Sequence, residues 1–371
     1  MNKWFLLISV IICCSCSNFH RNLEETVVAY DSISIPIDFP FISNYVQIHP
    51  YVNGDTLFML GYNHLMHSID IIDITTSQHH KSIKLEREGD NGVYNVNSIN
   101  GSHGKFAVME LSGLKRLSFD GNVLRNIPLL EFEDTRESNK YSIMNKGLSP
   151  GNYMEFAYDT DNHYCYLPMT PINNNDFERL SVGMLVDLMN GDCKMIECTY
   201  PSPYDKVKSS FGTYFKAQFS IMDDDRIIFN FFGNSHYWIY NIKTSEVIEK
   251  DMPSMYTENE TTFPKSPDNM SLLFSDEFTS LRFRPVHYIP TLQSFVRIHH
   301  AAKNELKDMT NKRYLMYMDD ESYKPIEYLM PSSFNEQYFI HNTSLYFLFK
   351  NTNDSEIKLG VIDLENISNS K

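Results

Sequence analysis

Short runs of apolar, β-branched and aromatic residues follow one another along the chain, many alternating with polar positions. The i, i+3, i+4 spacing of an amphipathic helix is scarce, so the pattern predicts an all-β protein. The runs recur in one order: an apolar strand, a second strand, an Asp, Asn or Gly turn, then a third strand. The first unit reads Asp55–Leu60, Ile69–Asp73, a Thr75-Thr76-Ser77 turn and Ser82–Leu85. The second has Lys105–Met109, Leu114–Phe119, the turn Asp120-Gly121-Asn122 and Val123–Leu129; the third has His163–Leu167, Gly183–Asp187 and Cys193–Cys198. The fourth has Arg226–Phe232, Tyr237–Asn241 and Val247-Ile248, the fifth Ser294–Ile298, Tyr314–Met318 and a strand near Ile326, and the sixth Leu345–Phe349 and Ile357–Ile362.

The turn-opening residues Asp73, Asp120, Asp187, Asn241, Asp319 and Asp363 lie at intervals of 47, 67, 54, 78 and 44 residues. Repeats of several strands with roughly this spacing are the mark of propeller blades, here with long loops. One blade cannot bury both faces of its sheet, whereas blades stacked around an axis can. The expected fold is therefore a six-bladed β-propeller. A pair of β-sandwich domains is the competing architecture, but no break in composition marks a boundary. The runs Thr26–Tyr30 and Ser32–Pro36 precede the first unit while the sixth stops short near Ile362, so an N-terminal strand is expected to complete the last blade. Glu131–Lys140 and Pro201–Ser209 read as loops between blades.

The first residues follow a different rule. Lys3, the apolar run Trp4–Ile12 and the small or thiol side chains Cys13-Cys14-Ser15-Cys16 form an export signal. Its apolar core is far shorter than the roughly 20 residues of a membrane-spanning helix. Ser15 before Cys16 fits lipoprotein processing, with diacylglycerol expected on Cys16; Cys13 stands where a branched aliphatic is usual, and Cys14 is the alternative acceptor. The expected organisation is a signal over 1–15, a tether over 16–25 and a propeller over 26–368. Two or three acyl chains make a stable membrane anchor. Ser17-Asn18-Phe19-His20-Arg21 carries no acidic run after the cysteine, which points to an outer-membrane position facing the periplasm.

The 32 Lys and Arg against 47 Asp and Glu leave a formal charge of −15. Such a body repels phosphate backbones, so nucleic acid is not expected as a partner. Beyond the signal only Cys165, Cys193 and Cys198 remain, too few for a disulfide framework and without zinc spacing; they are expected as free thiols.

After the strand ending at Leu85, the segment Glu88-Gly89-Asp90-Asn91-Gly92-Val93 resembles a Gly-x-Asn-Gly-Val-like segment of the Bacteroides-type lipoproteins catalogued as domain of unknown function 4221. Tyr288–Arg297 is similar to a second segment of that family, with Val296 in place of an aromatic residue and Ile289 in place of Asp; Asp320–Tyr323 and Glu327–Leu329 are similar to its next strand. The resemblance spans nearly the whole mature chain. It implies a propeller-like fold and brings no activity, substrate or catalytic residue.

No nucleophile elbow, phosphate loop or dinucleotide fingerprint occurs, and no motif asks for a cofactor. Gly101-Ser102-His103-Gly104 reads as a loop. The pairs His79-His80 and His299-His300 would point to opposite faces of a strand, which disfavours a shared metal, and His64 and His67 would converge only on a helical turn. Asp223-Asp224-Asp225 reads as a solvated turn before a strand. Arg282, Arg284 and His287, with Arg297 on an adjacent strand, make the most pointed cluster: a cationic patch on an innermost strand, able to hold carboxylates or acidic sugars. The alternative is local pairing with acids such as Asp276 and Glu277. The function expected is non-catalytic binding of an envelope protein, an anionic small ligand or a glycan, with a propeller enzyme acting on glycans as the alternative.

Overall fold

The apolar runs pair as antiparallel meanders in the computed structural model, which describes residues 25–37, 45, 47–94, 96–102, 105–110, 113–128, 132–134, 139–142, 157–159, 164–168, 170–171, 181–202, 217–260, 282–301, 312–322, 324–350 and 356–370. Strand β1 (Asp31–Pro36) leaves its sequence neighbours and joins the last sheet. Blade 1 is β2 (Ile48–Asn53), β3 (Thr56–Asn63), β4 (Ser68–Asp73) and β5 (Gln78–Lys84). Blade 2 is β6 (Ser98–Ser102), β7 (Lys105–Glu110), β8 (Gly113–Ser118) and β9 (Val123–Pro128). A separate three-stranded sheet is formed by β10 (Phe132–Asp134), β11 (Asn139–Ser142) and, after two strands of blade 3, β14 (Thr170–Pro171); blade 3 is β12 (Ala157–Asp159), β13 (Tyr164–Pro168), β15 (Gly183–Asp187) and β16 (Cys193–Met195). Blade 4 is β17 (Gln218–Ile221), β18 (Arg226–Asn230), β19 (His236–Asn241) and β20 (Val247–Asp251). Blade 5 has a broken inner strand, β21 (Arg282–Phe283) and β22 (His287–Ile289), then β23 (Ser294–His300), β24 (Arg313–Asp319) and β25 (Ile326–Leu329). Blade 6 is β26 (Phe334–His341), β27 (Ser344–Phe349) and β28 (Glu356–Asp363), with β1 outermost.

Six blades thus stand where the repeats predict them, with one systematic difference. Each repeat lacks its innermost strand in the sequence reading, because strands such as Ser98–Ser102 and Gln218–Ile221 are short and partly polar. The central strands, buried on both faces, carry the apolar signal.

Turn chemistry repeats from blade to blade. Asp73 Oδ1 accepts from Thr76 N at 2.9 Å, Asp187 Oδ1 from Met189 N at 2.7 Å, and Asn241 Oδ1 from Lys243 N at 2.9 Å. Four residues after each opener the backbone turns left-handed, at Ser77, Gly191 and Ser245. Blade 2 corrects the expectation: Ser118, not Asp120, opens the turn, its hydroxyl accepting from Asp120 N and Asn122 N. Asp363 instead caps the helix α1 (Leu364–Asn369) by accepting from Glu365 N at 2.9 Å.

Apolar side chains pack between neighbouring sheets. Blades 1 and 2 share Leu60, Ile71, Phe106 and Val108; blades 2, 3 and 4 share Met109, Val186 and Phe229. Blades 4 and 5 share Ile228 and Phe295, and blades 5 and 6 share Leu315 and Phe347. Met59 and Ile72 of blade 1 meet Leu348 and Leu359 of blade 6, which closes the ring.

The expected closing strand is present: β1 pairs antiparallel with β28 from Asp31 opposite Val361 to Pro36 opposite Glu356, and buries Ile35. The segment before it also straps blade 5. Val28 N donates to Leu329 O at 3.0 Å and Leu329 N to Thr26 O at 2.8 Å, while Glu25 receives Lys312 Nζ at 2.8 Å and Tyr314 OH at 2.6 Å.

The Glu88–Val93 segment ties blade 1 to blade 2. Val93 N donates to Glu86 O at 2.7 Å, Gly89 is left-handed, and Asn91 Oδ1 accepts from Val123 N at 3.1 Å. Lys115 bonds Gly92 O and the buried Glu110, whose other oxygen accepts from Tyr94 N. Among the described residues no helix is long and apolar enough to cross a membrane. Cys165 is buried and Cys193 and Cys198 half-buried, all three as free thiols. Cys16 and the remainder of the signal lie outside the described residues.

Candidate functional site

The innermost strands surround a central channel containing a cavity of about 230 Å³. Gln47 and His49 reach it from blade 1, Ser98 and Asn100 from blade 2, Ser220 from blade 4, Arg284 and His287 from blade 5, and Gln337 and Tyr338 from blade 6. Ile48, Ile99, Phe219 and Phe339 supply apolar wall between them. Among the described lining residues there is no carboxylate, and Arg284 carries the one permanent charge.

Neighbouring inner strands are riveted by side chains. Gln47 Oε1 accepts from Ile99 N at 3.1 Å, joining blades 1 and 2. Gln218 Nε2 donates to Phe283 O at 2.8 Å, and Ser220 Oγ bonds Val286 O, joining blades 4 and 5.

Backbone irregularity directs the polar wall. Blade 5's inner strand breaks between Phe283 and His287, and fully buried Asn230 of blade 4 fills the gap. Its amide donates to Phe283 O and Arg284 O at 3.4 and 3.3 Å, and its Oδ1 accepts from Val286 N at 3.2 Å. Arg284 N still reaches Ile298 O at 2.9 Å. In blade 6 the pairing of β26 with β27 shifts register between Phe334 and Tyr338, the stretch that presents Gln337. Bulges of this kind re-aim side chains and concentrate beside functional sites.

The imidazoles of this wall are neutral at physiological pH. Loss of hydration pushes His49 down to about 3 and His287 down to about 4, the latter also through the Arg284 charge. The His287 ring stands edge-on to Tyr338 at 6.1 Å, and the Arg284 guanidinium lies 5.9 Å from the Tyr338 ring.

Of the four residues singled out in the sequence, Arg284 and His287 therefore line the channel, and the other two do not. Arg282 sits on β21 opposite His300, whose basicity is lowered by burial and by the charges of Arg282, Arg284 and Arg313. Arg297 is 1 % exposed and lies in the seam between blades. Its guanidinium donates to Ser235 O at 2.7 Å and Asn234 O at 3.4 Å, and stacks on Phe283 at 4.3 Å. Asp276 and Glu277 lie outside the described residues. The channel polar groups that sequence reasoning missed, Gln337 and Tyr338 above all, sit in a strand with no repeat signal ahead of it.

The other candidates take structural places. His67 bridges Tyr62 OH at 2.7 Å and Val93 O at 2.6 Å, His64 is exposed, and His79 meets Ser82 Oγ at 3.1 Å. His80 packs 5.2 Å from Phe58. His299 is sandwiched between Phe283 and Tyr314 at 4.8 and 5.6 Å, and its Nε2 meets Thr257 Oγ1 at 2.7 Å. Asp223 turns back on Arg226, and Asp225 pairs with Lys243 at 2.6 Å. His103 and Gly104 lie outside the described residues. Among the described residues no group of three metal-ligating side chains converges.

Comparison with known proteins agrees with this architecture. The family model described as Domain of unknown function (DUF4221) matches residues 17–326. A member of that family from Bacteroides vulgatus superposes with a TM-score of 0.71 at 15 % identity, covering 91 % of this chain and 99 % of its own. A protein from Bacteroides fragilis superposes with a TM-score of 0.52 at 11 % identity, covering 93 % and 98 %. At such identities these likenesses carry the fold alone. No curated protein matches the chain.

Proposed function

Because the chain belongs to the DUF4221 family, whose description assigns no activity, we propose from its geometry that it is a non-catalytic binding propeller, held at the cell envelope by lipid on Cys16. The central channel carries this reading. It is walled from five blades by hydroxyls, amides, imidazoles and one guanidinium, interleaved with apolar side chains. A concave, mostly preformed site with a few convergent polar groups is the usual form of a small-ligand pocket. Its volume lies below the roughly 300–1,000 Å³ of drug-sized pockets, so the ligand is small.

A glycan-cleaving propeller would need two acids about 5–9.5 Å apart across the bond to be broken. The described lining residues include no acid, so no observation favours that reading over binding.

The anchor shapes what the channel meets. Nine residue steps separate Cys16 from Glu25, where the chain docks on blade 5. At about 3.3–3.6 Å per step they reach at most roughly 30 Å, which keeps the propeller close to the bilayer. The partners proposed are the membrane, through the lipid, and a small ligand in the channel. The position proposed is the outer membrane, facing the periplasm.

Two experiments test the parts separately. Cys16→Ala should move the protein from the membrane pellet to the soluble fraction, and unchanged membrane association would sink the anchor. A thermal-shift screen of small molecules on the full chain should give hits that disappear in the channel-narrowing variant Ile99→Phe. Hits indifferent to that change would rule out the channel as the site.

A further inference from the structure

We propose that the channel receives one uncharged, hydroxyl-bearing ring of monosaccharide size, held on the blade 5 and blade 6 side by His287 and Gln337. This rests on the reading of the channel as a binding site and names the class of ligand.

Two polar groups of that wall are unmet. Gln337 is 6 % exposed, and its Nε2 finds no acceptor among the described residues. His287 Nε2 finds no partner there either. The two side chains line the same cavity, and the His287 ring stands 6.1 Å from that of Tyr338, the chain neighbour of Gln337. A buried N–H left unmade is costly, and a partner brought by a ligand removes that cost. Arg284 is engaged within the protein, so recognition is assigned to the neutral groups beside it.

The chemistry of those groups selects the ligand. Gln337 Nε2 donates, and so calls for an oxygen that accepts. His287 is a neutral ring, because loss of hydration and the Arg284 charge push it down to about 4. Its Nε2 is then a donor in one tautomer and an acceptor in the other. A hydroxyl both accepts and donates, so it serves Gln337 and His287 in either tautomer, whereas a carboxylate only accepts and an ammonium only donates. Ser98 of blade 2 and the neutral His49 of blade 1 have the same double capacity, which matches a ligand with several hydroxyls. All four side chains are uncharged, and an uncharged ligand gives up less hydration to reach them than a charged one.

Size and apolar surface fit a ring. A cavity of roughly 150 Å³ takes benzene, so the channel's volume of about 230 Å³ has room for a six-membered ring with hydroxyl substituents. Phe219 and Phe339 offer apolar wall to its C–H face.

The test uses the full-length protein in a polyoxyethylene detergent, which has no sugar head group. Saturation-transfer NMR is run with D-glucose, D-galactose, D-mannose and L-rhamnose, and with D-glucuronate and D-glucosamine as charged relatives. At least one uncharged sugar should receive saturation, and both charged relatives should bind more weakly than it does. Gln337→Leu and His287→Phe should each weaken that sugar about 2- to 13-fold, as for the loss of one neutral hydrogen bond. Thermal unfolding of each variant confirms that it is folded. The methyl glycoside of the bound sugar separates two sources: it binds if the ligand is the end of a glycan and fails if the ligand is a free sugar. A charged relative binding as tightly as the best uncharged sugar overturns the assignment, as does an affinity unchanged in both variants. If binding is lost in Ile99→Phe yet indifferent to Gln337→Leu and His287→Phe, the assignment falls and the channel reading stands. If no sugar binds, the assignment falls, and the small-molecule screen against Ile99→Phe decides the channel reading by itself.

Discussion

Two buried polar residues illustrate how single side chains hold the blades in place. Asp70 is fully buried in blade 1, where its carboxylate accepts from Tyr45 OH, Asn63 Nδ2, Ser68 Oγ and Ser82 Oγ at 2.7–3.2 Å. Asp70→Asn turns one oxygen into a donor facing donors. It should cost about 2–4 kcal/mol, read as a lower urea midpoint at constant m-value. Arg297 does comparable work between blades 4 and 5, and Arg297→Met takes a charged donor from each of two buried carbonyls, Ser235 O keeping only Met252 N at 3.3 Å. The expected loss is again about 2–4 kcal/mol, and a midpoint within error of wild type would refute the role. By contrast, the half-exposed pair of Glu25 with Lys312 should contribute about 1 kcal/mol or less.

At the scale of elements, the decisive piece is the N-terminal strap. Strand β1 supplies the outer edge of blade 6, and residues 26–28 pair beside Leu329 of blade 5. The chain therefore closes the ring by clasping two blades, where the sequence pattern anticipated one. Ile35 is its apolar pin, fully buried against Tyr45, Met59 and Leu359. Ile35→Asp places a charge there and should release β1 while the other blades keep their own cores. Hydrogen exchange should then rise in 31–36 and in 356–363 before it rises in blade 3. Simultaneous loss of protection everywhere would mean the ring has no separable clasp.

For the whole molecule, buried histidines make acid a destabilising agent. His299 and His300 are buried, with His299 pushed down to about 3 and His300 lowered well below the ordinary value, chiefly by desolvation. His49 and His287, in the channel, are lowered in the same direction. The unfolded chain binds protons on these rings below about pH 6.5 and the folded chain does not, so stability falls as pH falls through that value. For His299 the effect at pH 5 is roughly 2 kcal/mol. The body's formal charge of −15 acts the other way, since acid relieves its self-repulsion. Concentrated at desolvated sites, the histidine effect should win, and the urea midpoint should drop between pH 7 and pH 5. A rising midpoint over that interval would show that relief of the negative charge outweighs the histidines and would overturn this expectation.

What the chain's order of residues determined by itself was the repeat: paired central strands, Asx turns and a spare N-terminal run are local patterns, and local patterns are legible without coordinates. The central strands carry this signal because both their faces are buried, so nearly every position must be apolar. Inner strands such as Ser98–Ser102 escaped because they border a channel and rivet blades with polar groups, which leaves no period to read. The same limit applied to the site. Spacing placed Arg282, Arg284, His287 and Arg297 together, yet only the packing of blade 4 against blade 5 decided their fates. Asn230, 54 residues before Arg284, holds the break that sets the guanidinium at the channel, while Ser235 and Asn234 draw Arg297 into the seam. Gln337 joined the wall through a register shift in another blade. Convergence of this kind depends on how sheets stack around an axis, a long-range arrangement that no local pattern encodes.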